Sequence, residues 1–236
     1  AEFRQLLDWA RKASTTRVRA NADTPNDAAK AREEFEAEGI GLVRTEHMFF
    51  AADRIPIVRE MIMASDPTTR RSAVQKLLPF QRDDFVGIFR AMNGLPVTVR
   101  LLDPPLHEFL ANPGEYREML EERARLDALN INPARKAALD EKLAKIDSLR
   151  EANPMLGLRG VRLGIHIPEL TQMQVRAIIE AAIACAKDGV DVHPEIMIPL
   201  TSHVNELKVQ QTALEEVAQQ VMKEQGAQVS YKFGTM

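Results

Sequence analysis

The chain has 236 residues and a formal net charge of -3, and 45% of its residues are hydrophobic and 28% charged, which is typical of a folded globular protein. This charge balance gives no reason to expect a polyanionic partner, so we expect no nucleic acid. No apolar run approaches the roughly 20 residues that a membrane span requires, so we expect no membrane insertion. The single cysteine, Cys185, excludes an internal disulfide and is typical of a reducing compartment, which predicts a cytoplasmic location.

Strand-like and helix-like segments alternate along the first half of the chain. Residues 16–23 predict a strand, and Thr24 followed by Pro25 is the pattern of a helix start, with a side-chain cap and proline at the first helical position. Residues 39–44 predict a second short strand. Residues 96–102 are rich in β-branched side chains and predict a third.

The alternation continues in the second half after one interruption. Residues 115–150 are charged, with leucines at helical spacing, and we interpret them as a pair of helices inserted into the domain. Residues 159–165 predict a fourth strand, residues 192–200 a fifth and residues 229–236 a sixth. Short strands joined by helical crossovers return in the same direction, so a parallel sheet is expected.

Two α/β architectures place parallel strands between helices: the doubly wound sheet and the (β/α)8 barrel. The sequence contains no G-x-G-x-x-G turn and no Walker loop, which disfavours a nucleotide-binding doubly wound sheet. A TIM barrel needs eight strands, and the chain provides about six predicted ones. We therefore predict an incomplete TIM (β/α)8 barrel in one domain, residues 1–236, with residues 115–150 as a helical insertion after strand 3.

Three arginines stand at or near the ends of predicted strands: Arg44, Arg100 and Arg159. In a parallel barrel the carboxyl ends of the strands converge on one mouth. Guanidinium groups meeting there suit a small dianion, because each presents a planar fork that matches carboxylate or phosphate oxygens. The sequence therefore predicts an anion-binding site.

A structural interpretation of the same arginines stays open. A single arginine at a strand end is commonly an ion-paired structural residue, and Glu46 and Asp103 are suitable partners. Three arginines on separate strands favour anion binding over ion pairing alone. The five histidines are scattered without a metal-ligand spacing, and Cys185 lies among alanines on a helix, where packing is expected.

Two stretches of sequence, residues 39–50 and residues 99–109, resemble the pyruvate phosphate dikinase family, one of the families of enzymes that use phosphoenolpyruvate (PEP). Residues 18–25, 153–160 and 194–200 also fit that family. The resemblance covers nearly the whole chain and is weakest in the predicted insertion. The alternatives are a fragment of a phosphoenolpyruvate synthase and a non-catalytic dimerisation or assembly module.

The resemblance implies the reversible conversion of pyruvate, ATP and phosphate to PEP, AMP and diphosphate. It implies that Arg44, Arg100 and, as a third residue, Arg159 bind the substrate, pyruvate or PEP. A phosphohistidine domain of the same parent chain would carry the phosphoryl group to this barrel from an ATP-binding domain. The family also implies Mg²⁺ in the parent enzyme and a homo-oligomer.

The resemblance further implies that parts of the machinery lie beyond this sequence. In the family a metal-binding glutamate would follow Met236 at once, and an Asn-Asp pair and a cysteine come later. We therefore expect the chain to be a fragment that is inactive by itself, with no catalytic residue and no bound metal. Because six strands are too few to close a barrel, we also expect the isolated chain to self-associate or to be disordered at its ends.

Overall fold

The computed structural model describes residues 2–150, 153 and 155–236. Ala1, Glu151, Ala152 and Pro154 lie outside the described residues; Ala1 falls in the predicted domain and Pro154 in one stretch that carries the resemblance. Five strands are present in the described part: β1 (Ala20–Asn21), β2 (Ile40–Arg44), β3 (Pro96–Arg100), β4 (His193–Ile198) and β5 (Lys232–Thr235). Eleven helices accompany them: α1 (Glu2–Ala13), α2 (Pro25–Glu33), α3 (Thr45–Phe49), α4 (Ile55–Met63), α5 (Pro67–Ala91), α6 (His107–Leu110), α7 (Pro113–Leu129), α8 (Pro133–Leu149), α9 (Gly160–His166), α10 (Pro168–Lys187) and α11 (Val204–Gln225). None of them combines the length and the apolar character that a membrane crossing requires.

The five strands form one parallel sheet in the order β1-β2-β3-β4-β5, so every strand pairs with its neighbours in the chain. This confirms the predicted α/β class and parallel pairing. Each connection contains at least one helix, as parallel neighbours require. The first of these helices, α2, begins as the sequence predicted, with the Thr24 hydroxyl accepting a hydrogen bond of 3.1 Å from the Asp27 amide.

The apolar side chains of the sheet are buried beneath a layer of long helices. Val97 and Val99 in β3 and Ile196 and Ile198 in β4 alternate along their strands and are almost completely buried. They belong to one core with α5, α10 and α11, and α10 packs against both other helices. Alternation gives a strand one apolar face, so the intervening residues, such as Thr98 and Arg100, lie on the opposite face.

The predicted strand at residues 159–165 is wrong, because Gly160–His166 form helix α9. Gly160 has a φ of +56°, and a Cβ atom there would lie 2.8 Å from Leu200 Cβ. One turn later, a Cβ on Gly164 would lie 2.9 Å from Gln210 Nε2. The two glycines thus let α9 approach its neighbours closely, and this tertiary packing overrides the local strand-like pattern. The described residues contain five strands rather than six.

Residues 115–150 fall in two antiparallel helices, α7 and α8, that pack against each other and follow β3. Asn130 and Asn132 form the turn between them, both in the left-handed conformation, with φ of 49° and 47°. Leu129 and Ile131 are exposed at this tip. The division of residues 1–236 into a barrel with this pair as an insertion stays a prediction.

Candidate functional site

Arg44 and Arg100 lie opposite each other at the carboxyl ends of two neighbouring strands. Arg44 is the last residue of β2 and Arg100 the last of β3, and their Cα atoms are partners in the parallel ladder. Both residues are therefore at the edge of the sheet where the sequence predicted them. Their role in binding stays a prediction.

The guanidinium of Arg44 is held by Asp23, which follows β1. Arg44 donates to Asp23 from Nε at 3.0 Å, from Nη2 at 2.6 Å and from its backbone amide at 2.8 Å. His47 Nδ1 lies 2.9 Å from the same carboxylate. Burial raises the pKa of Asp23, but the hydrogen bonds and charge of Arg44 outweigh it and leave the pKa below its usual value. Asp23 is therefore an ionised anchor for Arg44.

A second group of charges, the carboxyl-end cluster, consists of Glu46, Arg100, Asp103 and Arg159. Arg100 is bound to Glu46 through Nη2, and its Nη1 lies 3.1 Å from Asp103 Oδ2. The same oxygen lies 2.8 Å from Arg159 Nη2. The side chains of Glu46 and Asp103 are less than a tenth exposed and both arginines are 13% exposed. The two carboxylates expected to be partners are thus both engaged.

Arg159 reaches this cluster by a different route from the predicted one. It precedes helix α9 in extended conformation rather than ending a strand. Its Nε donates to the Asp103 carbonyl at 3.3 Å, and the Gly160 amide donates to the same carbonyl at 3.1 Å. Asp103 therefore brings Arg159 and Arg100 together, although the strand that motivated the prediction does not exist.

The carboxyl-end cluster retains hydrogen-bonding capacity that protein atoms leave unused. Within the described part of the chain, Glu46 Oε2, Asp103 Oδ1 and Arg100 Nε are buried and have no hydrogen-bond partner. Buried polar atoms in folded proteins are nearly always paired, so these three call for a partner such as water or a ligand.

The site combines three arginines with three carboxylates. Arg44, Arg100 and Arg159 carry three positive charges, and Asp23, Glu46 and Asp103 balance them. The carboxylates fix the orientation of the guanidinium groups, which present several N–H donors at one edge of the sheet. No group of three histidine, cysteine or acidic side chains placed to hold a metal ion was found among the described residues.

Several residues near the site could not be found from sequence. Asp23 was predicted to lie in a strand. The only feature that could have indicated a role in the site is its position as an acidic residue at the carboxyl end of that strand. Glu195 accepts from Arg19 Nη1 at 2.6 Å and from the Thr98 hydroxyl at 2.7 Å in the amino half of the sheet. Gln174 is buried in α10, and nothing in the sequence identified its partners.

The sequence matches a family model over its whole length. The model of the family described as "PEP-utilising enzyme, PEP-binding domain" matches residues 1–236. The chain belongs to this family. The PEP-binding family is thus the one that the arginine motifs indicated.

Among curated proteins, the chain is similar to proteins named pyruvate, phosphate dikinase. It is 50% identical over 235 residues to the one from Giardia intestinalis, covering 100% of this chain and 25% of that protein. The rice protein, named as the chloroplastic dikinase 1 of Oryza sativa subsp. japonica, is 51% identical over 236 residues, with 100% and 24% covered. The chloroplastic protein of Flaveria trinervia is 54% identical over 232 residues, with 98% and 23% covered. The chain spans about a quarter of the length of these relatives.

Proposed function

We propose that the chain is the pyruvate- and PEP-binding part of a pyruvate phosphate dikinase, which converts ATP, pyruvate and phosphate to AMP, PEP and diphosphate. One observation carries the proposal. Arg44 and Arg100 are register partners at the carboxyl ends of neighbouring strands, in a chain that belongs to the PEP-binding family. Such strand ends are where enzymes with parallel α/β barrels place their sites.

The two arginines differ in how an anion reaches them. Arg44 is 39% exposed, so its guanidinium meets solvent while Asp23 holds it. Arg100 is 13% exposed and engaged by two carboxylates, so an incoming carboxylate or phosphoryl group must displace one of them. Arg100 Nε, which has no partner among the described residues, is a donor that such an anion would engage, whereas the unpaired oxygens of Glu46 and Asp103 are acceptors and bind no anion. Arg159 is the third proposed contact.

Phosphoryl transfer gains from such fixed donors. The transferring group spreads negative charge over its oxygens, and donors that are already oriented stabilise that charge without reorganising. The carboxylate partners therefore have a role besides neutralisation: they hold each guanidinium in place before substrate arrives. This is the part of the chemistry that we assign to this chain.

The finer fold assignment, part of an eight-stranded barrel, is supported by the strand order. A doubly wound sheet reverses its order at a switch point, where its ligand binds. Here the order is sequential from β1 to β5, as in a (β/α)8 barrel. We propose that these strands are the first five of the eight strands of such a barrel. The sequence had predicted six of the eight.

Mg²⁺, which the family resemblance implies for the parent enzyme, does not fit the described acids. Asp23, Glu46 and Asp103 are each bound by an arginine, which competes with a cation for the same oxygens. We therefore assign no metal ligand to these residues and no step to a metal on them. That the chain itself binds no metal stays a prediction.

The remaining assignments concern partners and location. We propose a phosphohistidine domain of the same parent chain as the phosphoryl donor, and a homo-oligomer as the assembled form. We also retain the cytoplasmic location as a prediction, although the rice and Flaveria trinervia relatives carry "chloroplastic" in their names.

The test substitutes Arg100→Ala in the full-length dikinase and follows the two half-reactions separately. Removing one oriented donor to a transition state costs about 3 kcal/mol, so phosphoryl transfer to pyruvate should fall on the order of 100-fold. Formation of phosphohistidine from ATP and phosphate should be unchanged, because it does not use this site.

The matched control is Arg123→Ala, which removes an arginine from the exposed Arg123–Asp140 pair of α7 and α8. Both half-reactions should proceed normally in that variant. Equal loss of both half-reactions in Arg100→Ala, or full retention of both, would contradict the proposal.

A further inference from the structure

A buried polar connection, the Gln174 bridge, joins helix α10 to the strand ends that carry the two arginines. Gln174 Nε2 donates to the Thr45 hydroxyl at 2.9 Å, and Gln174 Oε1 accepts from the Leu102 amide at 2.9 Å. Thr45 Oγ1 in turn donates to the Arg100 carbonyl at 3.0 Å. The bridge therefore consists of two side chains, Gln174 and Thr45, and the backbone on both sides of Leu101.

The Gln174 bridge contacts the backbone next to both arginines. Thr45 directly follows Arg44 in the chain, and the Thr45 hydroxyl binds the carbonyl of Arg100. Gln174 then holds Leu102, two residues beyond Arg100. One chain of hydrogen bonds thus ties the end of β2 to the end of β3 at the position where their side chains leave the sheet.

Gln174 stands among apolar residues of α10. It has no solvent exposure, and its neighbours in the helix, Met173 and Val175, are buried apolar side chains. Burying an amide in such surroundings is unfavourable unless its donors and acceptors are paired. Packing alone would be satisfied by leucine at this position.

We infer that Gln174 and Thr45 are positioning residues, which fix the backbone at Arg44 and Arg100 so that both guanidinium groups meet one anion. The inference rests on the proposed function of the two arginines. Displacement of a binding group by about 1 Å can cost a reaction on the order of 100-fold, so small shifts at these strand ends have measurable effects. Neither residue contacts the anion itself in this scheme.

The chain offers a matched control in a second buried glutamine–threonine pair. Gln210 Nε2 donates to the Thr171 hydroxyl at 2.8 Å, and both side chains are nearly inaccessible. This pair joins α11 to α10 and touches neither strand end. Its loss removes a buried glutamine–threonine hydrogen bond, as loss of the Gln174 bridge does, and should leave substrate binding unchanged.

The experiment compares two double variants of the full-length dikinase, Thr45→Val with Gln174→Leu and Thr171→Val with Gln210→Leu. Each double variant replaces both side chains of a buried hydrogen bond by apolar groups of similar shape, which limits the cost in stability. The bridge variant also leaves the Leu102 amide and the Arg100 carbonyl without these partners, so thermal unfolding of both variants is measured alongside activity. We measure single-turnover transfer from the phosphorylated enzyme to pyruvate. The quantity compared is the single-turnover rate constant divided by the pyruvate concentration that gives half the maximal rate. It should fall on the order of 10-fold in the bridge variant and stay unchanged in the control.

A conservative substitution separates positioning from packing. Thr45→Ser keeps the hydroxyl and should retain normal transfer to pyruvate, whereas Thr45→Val alone should show the loss. Equal effects in the two double variants, no effect in the bridge variant, or serine behaving like valine would overturn the inference while the proposed function stands. Normal transfer to pyruvate in Arg100→Ala would overturn both.

Discussion

Two charged clusters lie on the same face of the sheet, and they differ in how completely their atoms are paired. In the amino half, Glu195 accepts from Arg19 and Thr98, and Lys232 lies 3.6 Å from its second oxygen. In the carboxyl-end cluster, Glu46, Arg100 and Asp103 each keep a buried atom that has no partner among the described residues. Buried polar atoms without a protein partner call for water or a ligand, so the carboxyl-end cluster has a place for a further partner that the amino-half cluster lacks. Completeness of pairing, rather than charge content, distinguishes the two clusters.

The largest expected effect is on the carboxyl-end cluster, through Asp103→Ala. This change leaves the guanidinium groups of Arg100 and Arg159, each 13% exposed, without their shared carboxylate. Removing one partner from a buried ion pair typically costs about 3–5 kcal/mol of the free energy of unfolding. Urea unfolding of the 236-residue chain measures it, and a loss below about 1 kcal/mol would show that water replaces the carboxylate.

Glu195→Gln is the corresponding change in the amino half, and its effect should be smaller. The partners of Glu195 reach solvent, since the side chain of Arg19 is 37% exposed and that of Lys232 is 79% exposed. We expect a loss of about 1 kcal/mol in the same urea experiment. Transfer to pyruvate in the full-length dikinase should be unaffected, and impaired transfer would remove the functional distinction between the clusters.

Acid should weaken the anchor of Arg44. The folded-state pKa of Asp23 is depressed, so its contribution to stability is present above the unfolded-state pKa of about 3.9 and is lost as pH falls through the lower folded value. Between about pH 5 and about pH 3, the unfolding free energy of Asp23→Asn should therefore decline less than that of the unmodified chain. Parallel declines would show that Asp23 is not ionised by its contact with Arg44. Glu195, whose pKa is also lowered, titrates in both proteins and cancels from the comparison.

Exposed ion pairs give the smallest expected effect and set the scale for the others. Arg123 and Asp140 are 43% and 44% exposed on α7 and α8. Arg123→Ala should change the unfolding free energy by about 0.5 kcal/mol or less. Thermal unfolding of the chain measures this change, and a clearly larger loss would mean that the helical pair depends on its charges as the buried clusters do.

Much of the sheet was predictable because its signals are local. Runs of β-branched residues bounded by glycine, proline and asparagine predicted the strands around residues 40, 97 and 196. The strand-like pattern at residues 159–165 gave a wrong prediction. Gly160 and Gly164 allow this segment to pack closely, as a helix, against residues that are distant in the sequence. Such close approaches have no signature within the segment itself.

In the candidate site, too, the residues with local sequence signals were predictable and those defined by distant contacts were not. Arg44 and Arg100 were predictable because they end apolar strand runs, and Glu46 and Asp103 because they lie two and three residues further along. Gln174 is 72 residues from the amide it accepts from and 129 from the hydroxyl it donates to. A glutamine in an apolar helix indicates only that some partner exists, and the fold alone identifies it.

The turn between α7 and α8 offers a place to attach a probe. Asn130 and Asn132 have the left-handed backbone of a tight turn, and Leu129 and Ile131 beside them face solvent. Exposed loop tips of this kind tolerate inserted sequence and chemical labels. A fluorophore at residue 131 would leave the sheet and its arginines untouched. Energy transfer to a second dye elsewhere in a full-length dikinase would then follow domain movement during turnover.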